Sequence, residues 1–462
     1  MARISLCLIA KDEEQLLPGC LASVEGAVDE IVLVDTGSSD RTREIARMAG
    51  AHVYEQPWRA DFSAPRNEAA RRATGDWILQ LDADERLAPG AAAVLRAAVI
   101  GATWDVGLLP LHNAERLGDR LEDVVVGTAR RGTPILLPRL LRNAGGLTWK
   151  GVIHEEVTAW LTRRGGKAAQ VEADIVHFGH VAELRAARGK RGRNLAMLRR
   201  SCELEPDSTT PFAYLAGELM DMGELDEARQ VAESGWAIVE SQPSARSIHR
   251  LAAMRALLAL EASDTARALD TADRARNRQG DHPDWHYVRG CALELRAVAA
   301  GARTVERREL AGAAATALRA AAATRGIPWH EQFVPGADGL PAVVRLGNVL
   351  LLSGRPREAL GAFEQVMREA PDDAEALIGR AEALLDAGDH GAALAALEPL
   401  LAQRAELADP WLLAAAAARA LGSNSDAALL LARARERLAH GLGALHRRER
   451  LAELTAALSA PT

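Results

Sequence analysis

The chain has 462 residues with 56 basic and 63 acidic side chains, a formal net charge of −7. That length holds two or three domains with proper cores, and so mild a charge excludes a nucleic-acid electrostatic footprint. Cys7, Cys20, Cys202 and Cys291 are scattered without a CxxC spacing, which argues against a zinc site or disulfide framework and fits a reducing cytoplasm. The apolar stretch Ile4 to Ala10 is too short for a signal peptide and runs into "KDEE", and even "WLLAAAAARALG" is cut by Arg419, so no membrane span is expected.

In chain order, "ISLCLIA" predicts a buried strand and residues 13–24 a helix. "EIVLVD" is a second strand ending in an acid, and Asp40 is placed to cap a helix running to Met48, with Gly50 past its end. "AHVYEQ" is a third strand, "APRNEAARRAT" a helix capped by Ser63 and stopped by Gly75, and "WILQL" a fourth strand. Strands alternating with helices predict a mainly parallel α/β sheet covered on both faces. Ligands bind such sheets beyond the carboxyl ends of the strands. Three of those ends carry polar clusters, at Lys11 to Glu14, Asp35 to Asp40 and Asp82 to Glu85. They are expected to converge on one crevice.

From residue 186 the pattern turns helical and repeats. "GRPREAL", "GDHGAAL" and "GSNSDAA" begin at Gly354, Gly388 and Gly422, with Ala359, Ala393 and Ala427 at the same offset. Leu346-Gly347, Gly354, Ala359, Phe363 and Pro371 follow the tetratricopeptide pattern. "GELDEAR" from Gly223 repeats the offset, and Glu205-Pro206 reads as the end of an earlier helix pair. Residues 301–340 break the period and are expected to hold a loop or an irregular repeat. The predicted organisation is a first domain over 1–185 and a helical-repeat domain over 186–462.

The strand-end acids have a chemical use. Asp-x-Asp at a strand end lets one carboxylate reach a ribose while the other ligates a hard cation. The structural alternative is a solvated turn. "IHEEV" is the second signal, because a carboxylate or His so placed can serve as a general base. Its alternative is a pair of polar residues on an edge strand.

The stretches "LCLIAKDEEQLLPGCLASV", "DEIVLVDTGSSDRT", "FSAPRNEAARRATGDWILQLDADE" and "WKGVIHEEV" resemble family 2 glycosyltransferases of the GT-A fold. They resemble in particular the subgroup fused to tetratricopeptide repeats, which includes enzymes that sugar-modify cell-surface polymers and sublancin-type peptide glycosyltransferases modifying Cys or Ser. Asp12 departs from the Asn usual after the Lys. The resemblance implies a Rossmann-like nucleotide-sugar domain followed by an all-α repeat domain. It implies nucleotide-sugar contacts from Lys11, Glu13, Asp35, Gly37, Ser38, Arg66, Asn67 and Asp82. It implies a divalent metal, Mn2+ or Mg2+, on Asp84 with Asp82 and His177, His180 being the alternative imidazole. Glu155 is implied as the base, with His154 orienting it or facing the acceptor. Glu14 is read as favouring a helix dipole, Glu85 as supporting the acids, and Trp58 and Phe62 as packing. Arg139 and Arg142 either assist a pyrophosphate or flank a strand.

The expected function is therefore inverting, metal-dependent sugar transfer from a nucleotide donor, UDP-hexose or UDP-HexNAc, to a Cys, Ser or Thr side chain. The repeats are expected to bind the peptide or protein acceptor, with dimerisation as another use for them. Transfer to a cell-envelope polysaccharide or lipid-linked intermediate, and a non-catalytic repeat scaffold, are the alternatives.

Overall fold

The computed structural model describes residues 2–179, 181, 183–184, 190–242, 248–301, 304–324, 333–337, 339–438 and 444–459. Two compact units divide the chain, Met1–Pro206 and Asp207–Thr462.

The first unit is built on a mixed sheet. Its strands are β1 (Ile4–Ala10), β2 (Glu30–Asp35), β3 (His52–Glu55), β4 (Trp77–Gln80), β5 (Glu85–Leu87), β6 (Val106–Ala114), β7 (Arg130–Arg142), β8 (Ala168–Gln170) and β9 (Ile175–His177). The order is β3-β2-β1-β4-β7-β6-β9-β5, with β8 added on β6. β1 is parallel to both β2 and β4, and β2 to β3. An apolar run with no polar alternation suits a strand covered on both faces. Leu6 and Leu8 accordingly enter one core with Leu17, Leu33, Leu79 and Leu95, while Cys7 enters another with Val32, Val34, Ile78 and Trp160.

Beyond β4 the sheet becomes mixed, although β6 is parallel to β8 and β9. β7 is antiparallel to β4 and to β6, and β5 is antiparallel to β9. The long β6–β7 pair returns the chain beside β4, which places Arg139 and Arg142 within a strand. It also sets Asn113 of β6 opposite His177 of β9.

Two helix starts differ from expectation. The first helix, α1, spans Leu17–Ser23, preceded by turns in which Glu13 O accepts from Leu16 N and Leu17 N. Pro18 has no N–H for an interior helical bond, so the helix can hold it only in its first turn. α2 covers Thr42–Met48, and α3 begins at Ser63 and ends at Arg72. The cap of α3 comes from Asp61, whose Oδ1 accepts from Ala64 N at 3.1 Å and from Ser63 Oγ at 2.8 Å.

The second unit is helical throughout its described residues. Helix pairs run Thr209–Met222 with Leu225–Ser241, His249–Glu261 with Thr265–Gln279, and Pro283–Ala299 with Val305–Ala323. They continue as Leu340–Leu352 with Pro356–Glu369, Ala374–Asp386 with His390–Gln403, and Ala408–Ala420 with Asn424–Glu436. Gly223, Gly354, Gly388 and Gly422 turn between paired helices at φ of 79°, 75°, 87° and 90°, a conformation that a Cβ disfavours. A Cβ on Gly347 would fall 2.5 Å from the Phe363 ring, and one on Gly379 would strike the same ring. These small residues admit the aromatic side chain between three helices. Within 301–340, where a loop or an irregular repeat was expected, Val305–Ala323 is a full helix. Most of "GIPWHEQF" lies outside the described residues.

The helix Leu445–Ser459 inserts cations among acids of earlier repeats. Arg447 is fully buried and meets Glu382 at 2.7 Å, Glu375 at 3.0 Å and Asp409 at 3.3 Å. Arg450 reaches Asp386 at 2.7 Å. Burial alone would raise the Glu382 carboxyl, but His446, Arg447 and Arg450 reverse that and hold it well below the usual range.

Candidate active site

The loops after β1 and β2 lock together. Asp12, at φ 54°, accepts through Oδ1 from Ser39 N at 2.7 Å, and its own N–H donates to Ser38 Oγ at 2.9 Å. Glu13 N donates to Thr42 Oγ1 at 2.7 Å. Asp40 accepts from Thr42 N at 2.9 Å and Glu14 N at 3.0 Å, so it secures the start of α2 as expected. Glu14 accepts from Arg41 N at 3.1 Å, tying it to α2 rather than to its own helix. Asp35, buried at the end of β2, accepts from Gly37 N at 3.1 Å, Ser38 N at 2.9 Å and Ser38 Oγ. Its oxygens shape the loop, with Gly37 at φ 112° making the turn. Lys11 is exposed beside them. A small concavity beyond β2 and β3 is lined by Thr36, Gln56, Trp58, Asp61 and Pro65. Trp58 meets Phe62 edge to face at 4.7 Å, the packing role expected of both.

The end of β4 carries a chain of alternating charges. Glu155 pairs with Arg66, Arg66 with Asp82 at 2.9 Å, Asp82 with Arg139 at 3.5 Å, and Arg139 with Glu85. Burial raises the Asp82 carboxyl, but the guanidiniums of Arg66 and Arg139 outweigh it and hold the group well below the carboxylate range. Burial wins at Glu85, whose carboxyl is raised despite Arg139. Glu85 also accepts from Asp82 N at 3.0 Å, the supporting role expected of it. Among the described residues Arg66 Nη1 and Arg139 Nε are buried without a hydrogen-bond partner. Buried donors of this kind call for an acceptor, and guanidinium N–H groups suit phosphate oxygens.

The neighbouring acid faces an imidazole. His177 Nε2 lies 3.7 Å from Asp84 Oδ1, and His177 Nδ1 is 2.8 Å from Asn113 Oδ1. With Nδ1–H donating to the amide oxygen, Nε2 turns its lone pair towards the carboxylate, the usual arrangement behind a metal-ligating His. A Cβ on Gly179 would lie 2.5 Å from Asp84 Oδ2 and against His177 Nε2, so glycine keeps this cradle clear. Oxygen plus imidazole nitrogen in an open cradle fits a divalent cation. His180 lies outside the described residues.

Glu155 sits on a bent segment. Lys150 and Glu156 exchange backbone hydrogen bonds at 2.9 Å in each direction, which closes a loop over 151–155 with His154 at φ 54°. The extended strand considered for "IHEEV" is therefore absent, and alternation cannot place Glu156. Asn67 anchors the segment. Its Nδ2 donates to Trp149 O at 3.0 Å and its Oδ1 accepts from Trp149 N at 2.8 Å. Both ends of that amide serve main chain.

The structure thus unites Arg66, Asp82 and Glu155 in one network and sets Asp84 with His177. Lys11, Glu13, Asp35, Gly37 and Ser38 belong to the interlocked loops. Asn113 and Gly179 were not foreseen, because their roles arise from the β6–β9 register and carry no local motif.

Residues 5–103 match the family model for glycosyl transferase family 2, and residues 350–416 match that for the tetratricopeptide repeat. The chain thus carries a glycosyl transferase family 2 match in its first unit and a tetratricopeptide-repeat match in its second. It is 33% identical over 288 residues to a TPR repeat-containing protein of Synechococcus elongatus, covering 58% of this chain and 65% of that protein. It is 37% identical over 87 residues to an uncharacterized glycosyltransferase of Rickettsia typhi, covering 19% of this chain and 30% of the relative. It is 24% identical over 230 residues to the SPbeta prophage-derived glycosyltransferase SunS of Bacillus subtilis, covering 49% and 51%. The chain spans less than two thirds of each of these relatives.

Proposed function

We propose that this chain transfers a sugar from a nucleotide-sugar donor, a UDP-hexose or UDP-HexNAc, to a Cys, Ser or Thr side chain of a peptide or protein, with inversion. The observation that carries the reading is the strand-end constellation. Asp84 faces His177 across the Gly179 cradle, and Arg66, with one donor unsatisfied, stands between Asp82 and Glu155. The family 2 match and the likeness to the glycosyltransferase SunS support the chemistry.

A divalent cation held by Asp84 and His177 would supply positive charge to the departing diphosphate. Arg66 binds the diphosphate through Nη1, and that pull loosens its hold on Glu155. Glu155 then takes the proton from the acceptor oxygen or sulfur. The acceptor lone pair forms the new bond at C1 as the C1–O bond breaks on the opposite face, and that electron pair leaves on the nucleoside diphosphate. The repeats hold the acceptor polypeptide. Among the described residues no helix is long and apolar enough to cross a membrane. The cytoplasm is the compartment we propose for the reaction, in keeping with four free cysteines.

The test is donor hydrolysis and transfer by the full chain, with UDP-hexose and UDP-HexNAc, Mn2+ or Mg2+, and Cys-, Ser- or Thr-containing peptides. Metal-dependent release of UDP that Asp84→Asn abolishes supports the proposal. Release that is indifferent to metal and to Asp84→Asn refutes the cation site, and transfer to a lipid-linked saccharide alone refutes the peptide acceptor.

A further inference from the structure

The last described helix of the second unit fills an acidic trough. In the repeats, the first helices of successive pairs pack side by side: Ala376 and Ala383 share a core with Leu346 and Val349, and Ile378, Ala381 and Leu385 share one with Leu413, Ala414 and Ala417. Glu375, Glu382 and Asp386 stand at spacings of seven and four along the middle helix, Ala374–Asp386, which sets them in one stripe. Asp409 adds a carboxylate from Ala408–Ala420. Among the described residues, every ion pair of Glu375, Glu382 and Asp386 is made to His446, Arg447 or Arg450.

The helix Leu445–Ser459 has the spacing of a groove ligand. Arg447, Arg450, Leu451 and Leu454 fall at i, i+3, i+4 and i+7, the anchor pattern of a helix laid in a groove. Arg447 spans Glu382, Glu375 and Asp409, and Arg450 reaches Glu382 at 3.2 Å and Asp386 at 2.7 Å. Leu454 joins Leu412, Ala415, Leu431 and Ala434, with Leu451 packed against them. A helix that only closed the array would need the last pair alone. This one also pairs with Ala374–Asp386 and, through Glu449, with Arg307 of Val305–Ala323. Its hold is chiefly ionic, since of its described side chains only His446, Arg447 and Leu454 are buried. The fit is also incomplete. Among the described residues Arg447 Nη2 and His446 Nδ1 are buried with no hydrogen-bond partner, and dry polar groups of this kind weaken an association.

We propose that Leu445–Ser459 is a built-in occupant of a binding groove on the repeats, and that the groove's external ligand is a basic helical polypeptide segment with Arg or Lys at i and i+3 and Leu at i+4 and i+7. Charge selects that partner, because the carboxylates of Glu375, Glu382, Asp386 and Asp409 attract cations and repel an acidic helix. The tether makes the native helix a strong competitor. A tethered segment acts at about millimolar effective concentration, so a groove of about micromolar intrinsic affinity is closed to free peptide by roughly 1000-fold. The proposal holds whether or not that partner is the sugar acceptor.

The probe is a fluorescein-labelled peptide of residues 445–459, titrated by anisotropy into the full chain, both wild type and Arg450→Ala. That substitution removes two ion pairs of a partly exposed side chain. The wild type should bind weakly and the Arg450→Ala chain at least about 10-fold more tightly, the scale of losing a partner from a desolvated pair. Glu382→Gln in the same chain should cancel the gain, and a peptide carrying Arg447→Glu and Arg450→Glu should not bind. Hydrogen exchange on the wild type needs no variant: amides of Leu445–Ser459 should exchange at least about 10-fold faster than those of Ala408–Ala420, through local opening. A folded Arg450→Ala chain that binds the peptide no more tightly than wild type overturns the proposal, and so does exchange of both helices together through global unfolding. Should Arg450→Ala unfold, Leu454→Ala releases the same helix from its apolar end and is read in the same way.

Discussion

Asn67→Ala should loosen the segment that carries Glu155 while leaving the donor side intact. The side-chain amide makes two hydrogen bonds with Trp149 main chain, at 2.8 and 3.0 Å, and Trp149 is only 6% exposed. Each bond contributes about 1 kcal/mol net, and a group left dry and unpaired costs about 1–3 kcal/mol. The expected loss is about 2 kcal/mol if water reaches both groups and about 4 kcal/mol if it does not. For a unit of this size that lowers Tm by roughly 4–16 °C, at about 2–4 °C per kcal/mol. Differential scanning calorimetry measures the shift, and titration with UDP tests whether the donor side is kept. Asn67→Asp should cost at least as much, because its oxygen meets the Trp149 carbonyl where an N–H stood. A Tm change below about 1 °C in both variants would refute the anchoring role. Unchanged transfer at saturating donor would show that Glu155 does not depend on it.

Asn113→Ala should weaken metal binding at Asp84 and His177 by about 10–100-fold, the usual cost of losing the partner of a ligating His; calorimetry with Mn2+ and UDP reads it directly. Glu155→Gln should lower transfer to a hydroxyl acceptor by roughly 10²-fold or more in a rate assay, with a smaller loss for a thiol, which ionises more readily. Gly379→Ala drives a Cβ into the Phe363 ring and should destabilise the repeats by about 1–3 kcal/mol in urea unfolding. Glu382 is held below its unfolded value, so its contribution is full above the ordinary carboxylate range and is lost as pH falls through the depressed native value. Repeat stability measured by urea titration should therefore fall on acidification, and Arg447→Met, which takes the shared cation from Asp409 and Glu375 and leaves Glu382 to His446 and Arg450, should cost about 3–5 kcal/mol at neutral pH.

Features set by local rules were legible from the chain. The four parallel strands follow from apolar runs ending in acids, and the repeat turns from glycines at a fixed period. The β7 return was not legible, because "PILLPRLLR" says nothing of which neighbour it pairs with. At the site, Asp82, Asp84, Arg66 and Glu155 stood in motifs, and the structure brings Arg66, Asp82 and Glu155 together. Asn67 stood in a motif too, but its partner is main chain 82 residues away, and long-range hydrogen bonds leave no local trace. Asn113 and Arg139 depend likewise on sheet register.

Arg447 is separated from its acids by 38, 65 and 72 residues. A ribosome therefore makes Asp409, Glu382 and Glu375 well before the cation that neutralises them. Domains fold progressively during synthesis, at about 5–20 residues per second, so for several seconds the nascent array carries three carboxylates that must remain hydrated. A chain released early would be marked by wet, mutually repelling acids where the finished protein buries Glu382 and Asp409 against Arg447.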